Sequence, residues 1–235
     1  MLRAISGKDE SRHSGLMDEI FRFRHRHFVD KLGWEAIRKP DGREKDAYDT
    51  QAAIHLPFIH QGCLVGYSRL LSTSHPHLLS HVYPELTGGD VYPVGPSVFE
   101  WTRCAADNLF SRAHGRISNA LMTAMLEYVL LAGIERLIVE TDPTIVAMLS
   151  WMGYGVRHLF PAADFAGRRL IIAELAPSWK AYDRHSRIYR IDHALVDPDS
   201  YWPLPNKVQR ARPCQFPIDG KDGAGSNEIF QGCGS

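Results

Sequence analysis

The stretch Ala53-Ile-His-Leu-Pro-Phe-Ile-His-Gln-Gly-Cys-Leu-Val-Gly-Tyr-Ser-Arg-Leu-Leu71 reads as two β-strands, Ala53 to Ile59 and Cys63 to Leu71. The short turn His60-Gln-Gly62 joins them. Upstream, Lys39 to Thr50 is a polar loop containing proline and glycine, and Leu16 to Leu32 has the spacing of an amphipathic helix stopped by Gly33. Downstream, Ser72 to Pro96 is rich in Ser, His, Pro and Gly, with a helical turn near Leu78. Val98 to Ala105 is a strand, and Ser118 can cap a helix running to about Ala132, with Gly133 just past its end. Arg136 to Thr141 is a strand, and Thr144 to Trp151 is a short helix stopped by Gly153. Val156 to Phe160 and Leu170 to Leu175 pair across a turn containing Gly167, and Ser178 to Ile191 is helical. Strands alternating with helices in this order predict one α/β domain, a three-layer sandwich around a mixed central sheet. That domain takes residues 1–205, and 206–235 form a polar, glycine-containing tail that is weakly ordered.

Composition excludes several classes. The 235 residues are 44% hydrophobic and 23% charged, enough for a real core. Lys plus Arg equals Asp plus Glu at 27 each, so bulk charge makes no case for nucleic acid or a membrane surface. The first ten residues lack the apolar core of a signal peptide, and the apolar stretch from Leu121 to Ile134 is broken by Glu127. Four cysteines without CxxC spacing fit a reducing cytoplasm.

Charges where the folding pattern wants apolar residues are the functional signal. Arg24 shares a helical face with Phe21, Phe28 and Leu32. Arg69 lies in a strand among Val65, Tyr67 and Leu71. In Val98-Phe-Glu-Trp-Thr-Arg103, Glu100 shares a face with Val98 and Thr102, and Arg103 with Phe99 and Trp101. The loop Glu44-Lys-Asp-Ala-Tyr-Asp49 supplies three carboxylates. Singly, each has an ordinary reading: a snorkelling arginine, a solvated loop, a structural ion pair. An unpaired buried charge costs several kcal/mol, of order 3–5 when a partner is removed, so these charges are expected to pair. Three arginines facing Glu44, Asp46, Asp49 and Glu100 nearly balance, which suits a zwitterionic or cationic substrate. Trp34 and Trp101 are core residues or cation–π partners. The acidic loop lacks a calcium-loop glycine, and neither His75-Pro-His77 nor the His25, His27 pair has zinc spacing, so no metal is expected. Arg112-Ala-His-Gly-Arg-Ile117 partly matches the loop by which N-acetyltransferase folds hold coenzyme A phosphates, with Ile117 in place of a small residue.

In order, these residues resemble the acyl-homoserine-lactone synthase, or autoinducer synthase, family. The pattern Arg, Phe four on and Trp six further appears as Arg24, Phe28 and Trp34. The E-x-D-x-F/Y-D loop appears as Glu44 to Asp49, G-x-x-R-L as Gly66 to Leu70, and E-x-S-R as Glu100 to Arg103 with Thr102 for Ser. Tyr83 stands where Phe is common, and His55 interrupts a usually apolar strand. The resemblance covers roughly Ile20 to Ala105 and implies a fold similar to that of N-acetyltransferases. It implies condensation of S-adenosylmethionine with an acyl thioester of acyl carrier protein or coenzyme A. No prosthetic group is involved, and methylthioadenosine is released. On that reading Glu100 is the base, with Asp46 as the other candidate. Arg24, Phe28, Trp34, Asp49 and Trp101 bind substrate; Arg69, Arg103 and Glu44 brace the site. Met122, Met125 and Ile138 line an acyl pocket. The competing reading is a coenzyme A-dependent N-acyltransferase for another amine.

Overall fold

The computed structural model describes residues 1–107, 116–165 and 167–204. The Arg112 loop and the tail from 206 lie outside the described residues. The chain opens with β1 (Ile5–Ser6) and a 3₁₀-helix (Gly7–His13), followed by α1 (Ser14–Arg24), which continues into a π-helical turn, His25–Lys31. Next come β2 (Ala53–His60), β3 (Cys63–Ser72), the single turn α2 (Leu78–His81) and β4 (Val98–Ala106). After these follow α3 (Arg116–Leu131), β5 (Arg136–Thr141), α4 (Pro143–Met152), β6 (Gly155–His158), β7 (Ala163–Phe165), β8 (Arg168–Ala176) and α5 (Trp179–Tyr189). The strands form one mixed sheet in the order β1-β2-β3-β4-β5-β8-β6, with β7 on the first residues of β8. The pairings are antiparallel except β4 with β5.

Local chemistry explains the boundaries. Asp142 accepts the amide of Thr144 (2.8 Å) ahead of Pro143, and Gly153 closes α4 in the left-handed conformation. α3 begins two residues before Ser118, so that serine lies inside the helix. β1 and β7, two and three residues long, are too short for any periodicity to reveal.

Alternation along β3 and β4 sorts the two faces. Leu70, Phe99, Trp101, Leu137 and Val139 join α3 and α4 in the main core. Gly66 marks where α3 comes closest: a side chain there would meet Leu121 Cδ2 and Phe58 Cβ, both at 3.3 Å. On the other face Tyr67 packs under Met17, Ile20, Phe21 and Phe23 of α1. Ile138 and Ile172 pack with Leu79, Val98 and Phe160 beneath the Ser72–Pro96 segment. The sandwich thus has its predicted three layers, with a helix-only layer on one face and α1 plus a long loop on the other. Leu32 departs from expectation: it is 54% exposed. The wider π-turn changes the phase between Arg24 and Leu32, so the two no longer share a face.

The parallel β4–β5 ladder is only three residues long, from Val98 opposite Arg136 to Glu100 opposite Ile138. Beyond it β4 stays paired with β3 and β5 with β8. The sheet therefore opens immediately after Glu100.

Candidate active site

Arg24 and Arg69, both fully buried, are the centre of the α1-side face. Arg24 donates from Nε to Glu44 Oε2 (2.6 Å) and from Nη1 to Asp49 Oδ1 (2.7 Å). Arg69 donates from Nη1 to Asp46 Oδ1 and Asp49 Oδ1, both at 2.7 Å, and from Nη2 to Asp46 Oδ2 at 2.9 Å. Its Nε donates to Thr102 Oγ1 at 3.0 Å, so the hydroxyl at that motif position orients the guanidinium. Arg103 reaches Glu44 through Nε and Nη2 (both 3.2 Å) and Asp46 Oδ2 through Nη2 (3.0 Å). The acidic loop is also tied to itself, since Asp49 Oδ2 accepts the amide of Asp46 (2.8 Å). Burial alone would raise the carboxyl of Asp49, but Arg69 and Arg24 outweigh it and hold it far below the ordinary range. Burial likewise opposes ionisation of Glu44 and Asp46, and the arginines overcome it in both.

Arg103 is on this face against expectation. Strict alternation assigns it to the side of Phe99 and Trp101. Tyr67 pairs with Ala105 and Arg69 with Thr102, so β4 carries one extra residue at this point. Arg103 itself has φ +54°, a left-handed backbone rare for a side-chain-bearing residue. The bulge rotates its guanidinium into the acidic loop.

The aromatic wall follows. Phe28 and Trp34 pack with ring centres 5.1 Å apart and planes tilted by 30°. Arg103 lies over Phe28 at 5.6 Å and over Trp34 at 5.3 Å, and Arg168 approaches Trp34 at 5.6 Å. Trp34 Nε1 is buried without a hydrogen-bond partner.

Glu100, fully buried, stands apart from the arginines. Its Oε2 accepts the amide of Leu78 (2.8 Å) and its Oε1 that of Leu79 (2.7 Å), so it pins α2 over the opening of the sheet. Its further neighbour is Glu140 of β5, hydrogen-bonded to it. Burial first, then the charge of Glu100, push the Glu140 carboxyl well above its ordinary range. The sequence reading passed over Glu140. The signal was present, since Glu140 alternates with buried Ile138 as Glu100 does with Val98. Glu100 therefore belongs to a carboxyl pair, not to the arginine network.

Two further placements differ from expectation. Trp101 is turned to the opposite face, where it packs in the main core beside Tyr154 and donates from Nε1 to Ser68 Oγ. Odd and even positions of β4 face opposite ways before the bulge, so Trp101 cannot share a surface with Glu100. The proposed acyl trio is divided for the same reason: Met122 and Met125 are in the α3 core, and Ile138 is across the sheet with Leu79 and Phe160.

Comparison with known proteins agrees with the motifs. The autoinducer synthase family profile matches residues 8–181. The chain is 34% identical over 143 residues to isovaleryl-homoserine lactone synthase of Bradyrhizobium diazoefficiens, covering 60% of this chain and 64% of that relative's length. It is 33% identical to an acyl-homoserine-lactone synthase of Ralstonia nicotianae, over 65% of this chain and 78% of that protein. Among solved structures, BjaI with MTA, a coenzyme A-dependent acyl-homoserine lactone synthase, superposes with a TM-score of 0.78 at 26% identity. That match covers 88% of this chain and 95% of BjaI. MesI, also coenzyme A-dependent, gives 0.74 at 25% identity, over 84% of this chain and 100% of that one. The arginine-locked acidic loop, the packed Phe28 and Trp34, and the buried glutamate of β4 are thus set in a scaffold that its relatives share, and the chain belongs to the autoinducer synthase family.

Proposed function

We propose that this chain makes an N-acyl-homoserine lactone, a quorum-sensing signal, from S-adenosylmethionine and an acyl thioester, releasing methylthioadenosine. One observation carries the reading: a charge-balanced ion-pair network faces a packed Phe28–Trp34 wall beside a buried glutamate. Phe28 and Trp34 offer π-faces to an adenine or a sulfonium. Arg24, Arg69, Arg103, Glu44 and Asp49 hold that wall and the acidic loop in place, with Asp46 the most accessible carboxylate of the loop at 17% side-chain exposure. Glu100 takes the proton of the substrate amine through a water. The neutral nitrogen attacks the thioester carbonyl, and the thiol leaves. A substrate carboxylate oxygen then attacks its own γ-carbon. The carbon–sulfur bond breaks, and its electron pair goes to the sulfonium, which departs as methylthioadenosine. Holding the chain bent is the main requirement for that closure.

We infer a coenzyme A thioester as donor, with a short or branched acyl chain. The support is the likeness to an isovaleryl-homoserine lactone synthase and to the coenzyme A-dependent BjaI and MesI. The acyl chain enters where β4 and β5 part, with Met122, Met125 and Trp101 on the α3 side. No helix among the described residues is long and apolar enough to cross a membrane, and we place the enzyme in the cytoplasm with its two substrates. Purified protein given S-adenosylmethionine and a panel of acyl-coenzyme A and acyl-carrier thioesters is expected to yield an acyl-lactone together with methylthioadenosine, detected by mass spectrometry. Acylated amine without methylthioadenosine would assign the chain to a plain N-acyltransferase role instead.

A further inference from the structure

Glu140 has no part in the reading above. It projects from β5 where the sheet opens, on the same face as Ile138 and hydrogen-bonded to Glu100. Its Oε1 is buried without a partner. Two carboxyl groups in such contact cannot both stay ionised, because like charges at hydrogen-bond distance in a water-poor site repel strongly. The backbone decides which of them carries the charge. The Leu78 and Leu79 amides donate to the two oxygens of Glu100, one each. No such donors serve Glu140 Oε1, and burial with the charge of Glu100 raises the Glu140 carboxyl, so the proton of the pair belongs to Glu140.

The surroundings leave the pair as the local proton store. Tyr48 of the acidic loop and Tyr83 and Tyr92 of the loop before β4 all have hydroxyls pushed up by burial first, with neighbouring carboxylates adding to it and Arg103 opposing it at Tyr83, and so stay neutral. His77 spends Nδ1 on the carbonyl of His75 (2.7 Å) and Nε2 on the Tyr92 hydroxyl (2.9 Å). On β8, Glu174 is engaged by Arg157 (2.9 Å) and Arg136 (3.7 Å). Asp46, Arg69 and Arg103 are bound in the ion-pair network.

We propose that Glu140 is a further substrate-binding residue: with Glu100 it forms a one-proton carboxyl pair that receives the ammonium of the substrate by giving up that proton. The inference rests on S-adenosylmethionine being the substrate. Docking a cation beside the pair favours the doubly ionised form, so the Glu140 O–H bond breaks and its proton passes to bulk buffer. The emptied pair then has room for one proton, and the ammonium supplies it to become the nucleophilic amine.

Isothermal titration of S-adenosylmethionine at pH 7, in buffers of different ionisation enthalpy, reads the proton count directly. Wild type is expected to release about one proton per ligand bound, and Glu140→Gln none while still binding. The side-chain amide introduced by Glu140→Gln can donate to Glu100 as the acid does, so the fold is retained, which the melting temperature checks. Infrared difference spectra of the two proteins without ligand are expected to show a protonated-carboxyl band at pH 7 that the variant lacks. Binding without proton release, release that persists in Glu140→Gln but disappears in His77→Gln, or absence of that band would each overturn the proposal. Failure of S-adenosylmethionine to bind at all would instead sink the substrate assignment, and the infrared band would still decide whether the pair holds a proton.

Discussion

The carboxylates of the acidic loop and those of β4 and β5 occupy one face of one sheet and behave oppositely. Glu44, Asp46 and Asp49 each meet guanidinium nitrogens, at 2.6 to 3.2 Å. Their charge is matched three for three by Arg24, Arg69 and Arg103, and their protons are gone at any physiological pH. Glu100 and Glu140 meet amides and each other, and burial with the charge of Glu100 pushes the Glu140 carboxyl well above its ordinary range. Burial is common to both regions, so burial alone does not set the chemistry. The partner does: an arginine makes a carboxylate scaffold, and a second carboxylate makes it responsive to an incoming charge.

Breaking the first region gives the largest effect. Arg69→Ala leaves Asp46 and Asp49 short of a partner in a buried site and is expected to cost about 3–5 kcal/mol of stability, read as a fall in denaturation midpoint. An unchanged midpoint would mean the loop carboxylates are held by water and not by the arginine.

The same contrast can be sharpened with pH. His55 is fully buried against Tyr67, its Nδ1 2.8 Å from the hydroxyl, and burial first holds its imidazole down at about 4. A histidine lowered in this way is neutral in the folded protein, while the unfolded chain takes up a proton below its ordinary value of about 6.5. Stability is therefore fully present above about pH 6.5 and falls as the pH drops towards 4, by up to about 3 kcal/mol from this group. The arginine-bound carboxylates follow the opposite ionisation but the same direction: their contribution is present above about pH 4 and is lost only below it. Denaturant titrations across pH should thus fall in two stages, and His55→Gln should reduce the upper one, to which His27, also held down at about 4 by burial first, contributes as well. A profile level from 6.5 to 4 in wild type would refute the first stage.

Glu100→Gln strikes the second region. It is expected to lower turnover by about 10² or more with folding intact. The loss of one charge-assisted bond to α2 should cost about 1–2 kcal/mol of stability. Near-normal turnover would remove Glu100 as the base.

The smallest test separates the two faces of β4. Trp101→Phe removes the bond to Ser68 and is expected to cost about 1 kcal/mol of stability without altering S-adenosylmethionine affinity. Trp34→Ala is expected to do the reverse. Calorimetric affinities for the two variants decide, and a large loss for Trp101→Phe would restore it to the substrate wall.

Much of this arrangement was legible from residue order alone. Periodicity set the strands around Ala53 to Leu71, glycines marked helix ends at Gly33 and Gly153, and charges inside apolar runs pointed to Arg24, Arg69 and Glu100. Each of these is a local signal: a pattern repeats every two or every 3.6 residues, and a misfit within it is visible without knowing the fold. The motif order also identified the family, because it is a property of the chain.

Tertiary structure decided which faces those residues present and which neighbours they meet. The bulge that sends Arg103 to the acidic loop arises from the pairing of β3 with β4, and no alternation rule anticipates it. The division of Met122 and Met125 from Ile138 depends on which side of the sheet α3 covers. Glu140 gains its meaning only because a three-residue parallel ladder brings β5 beside β4. Residue type and spacing fix how a side chain can ionise. Whether it does so depends on the charge that another strand, distant in sequence, places within hydrogen-bond reach.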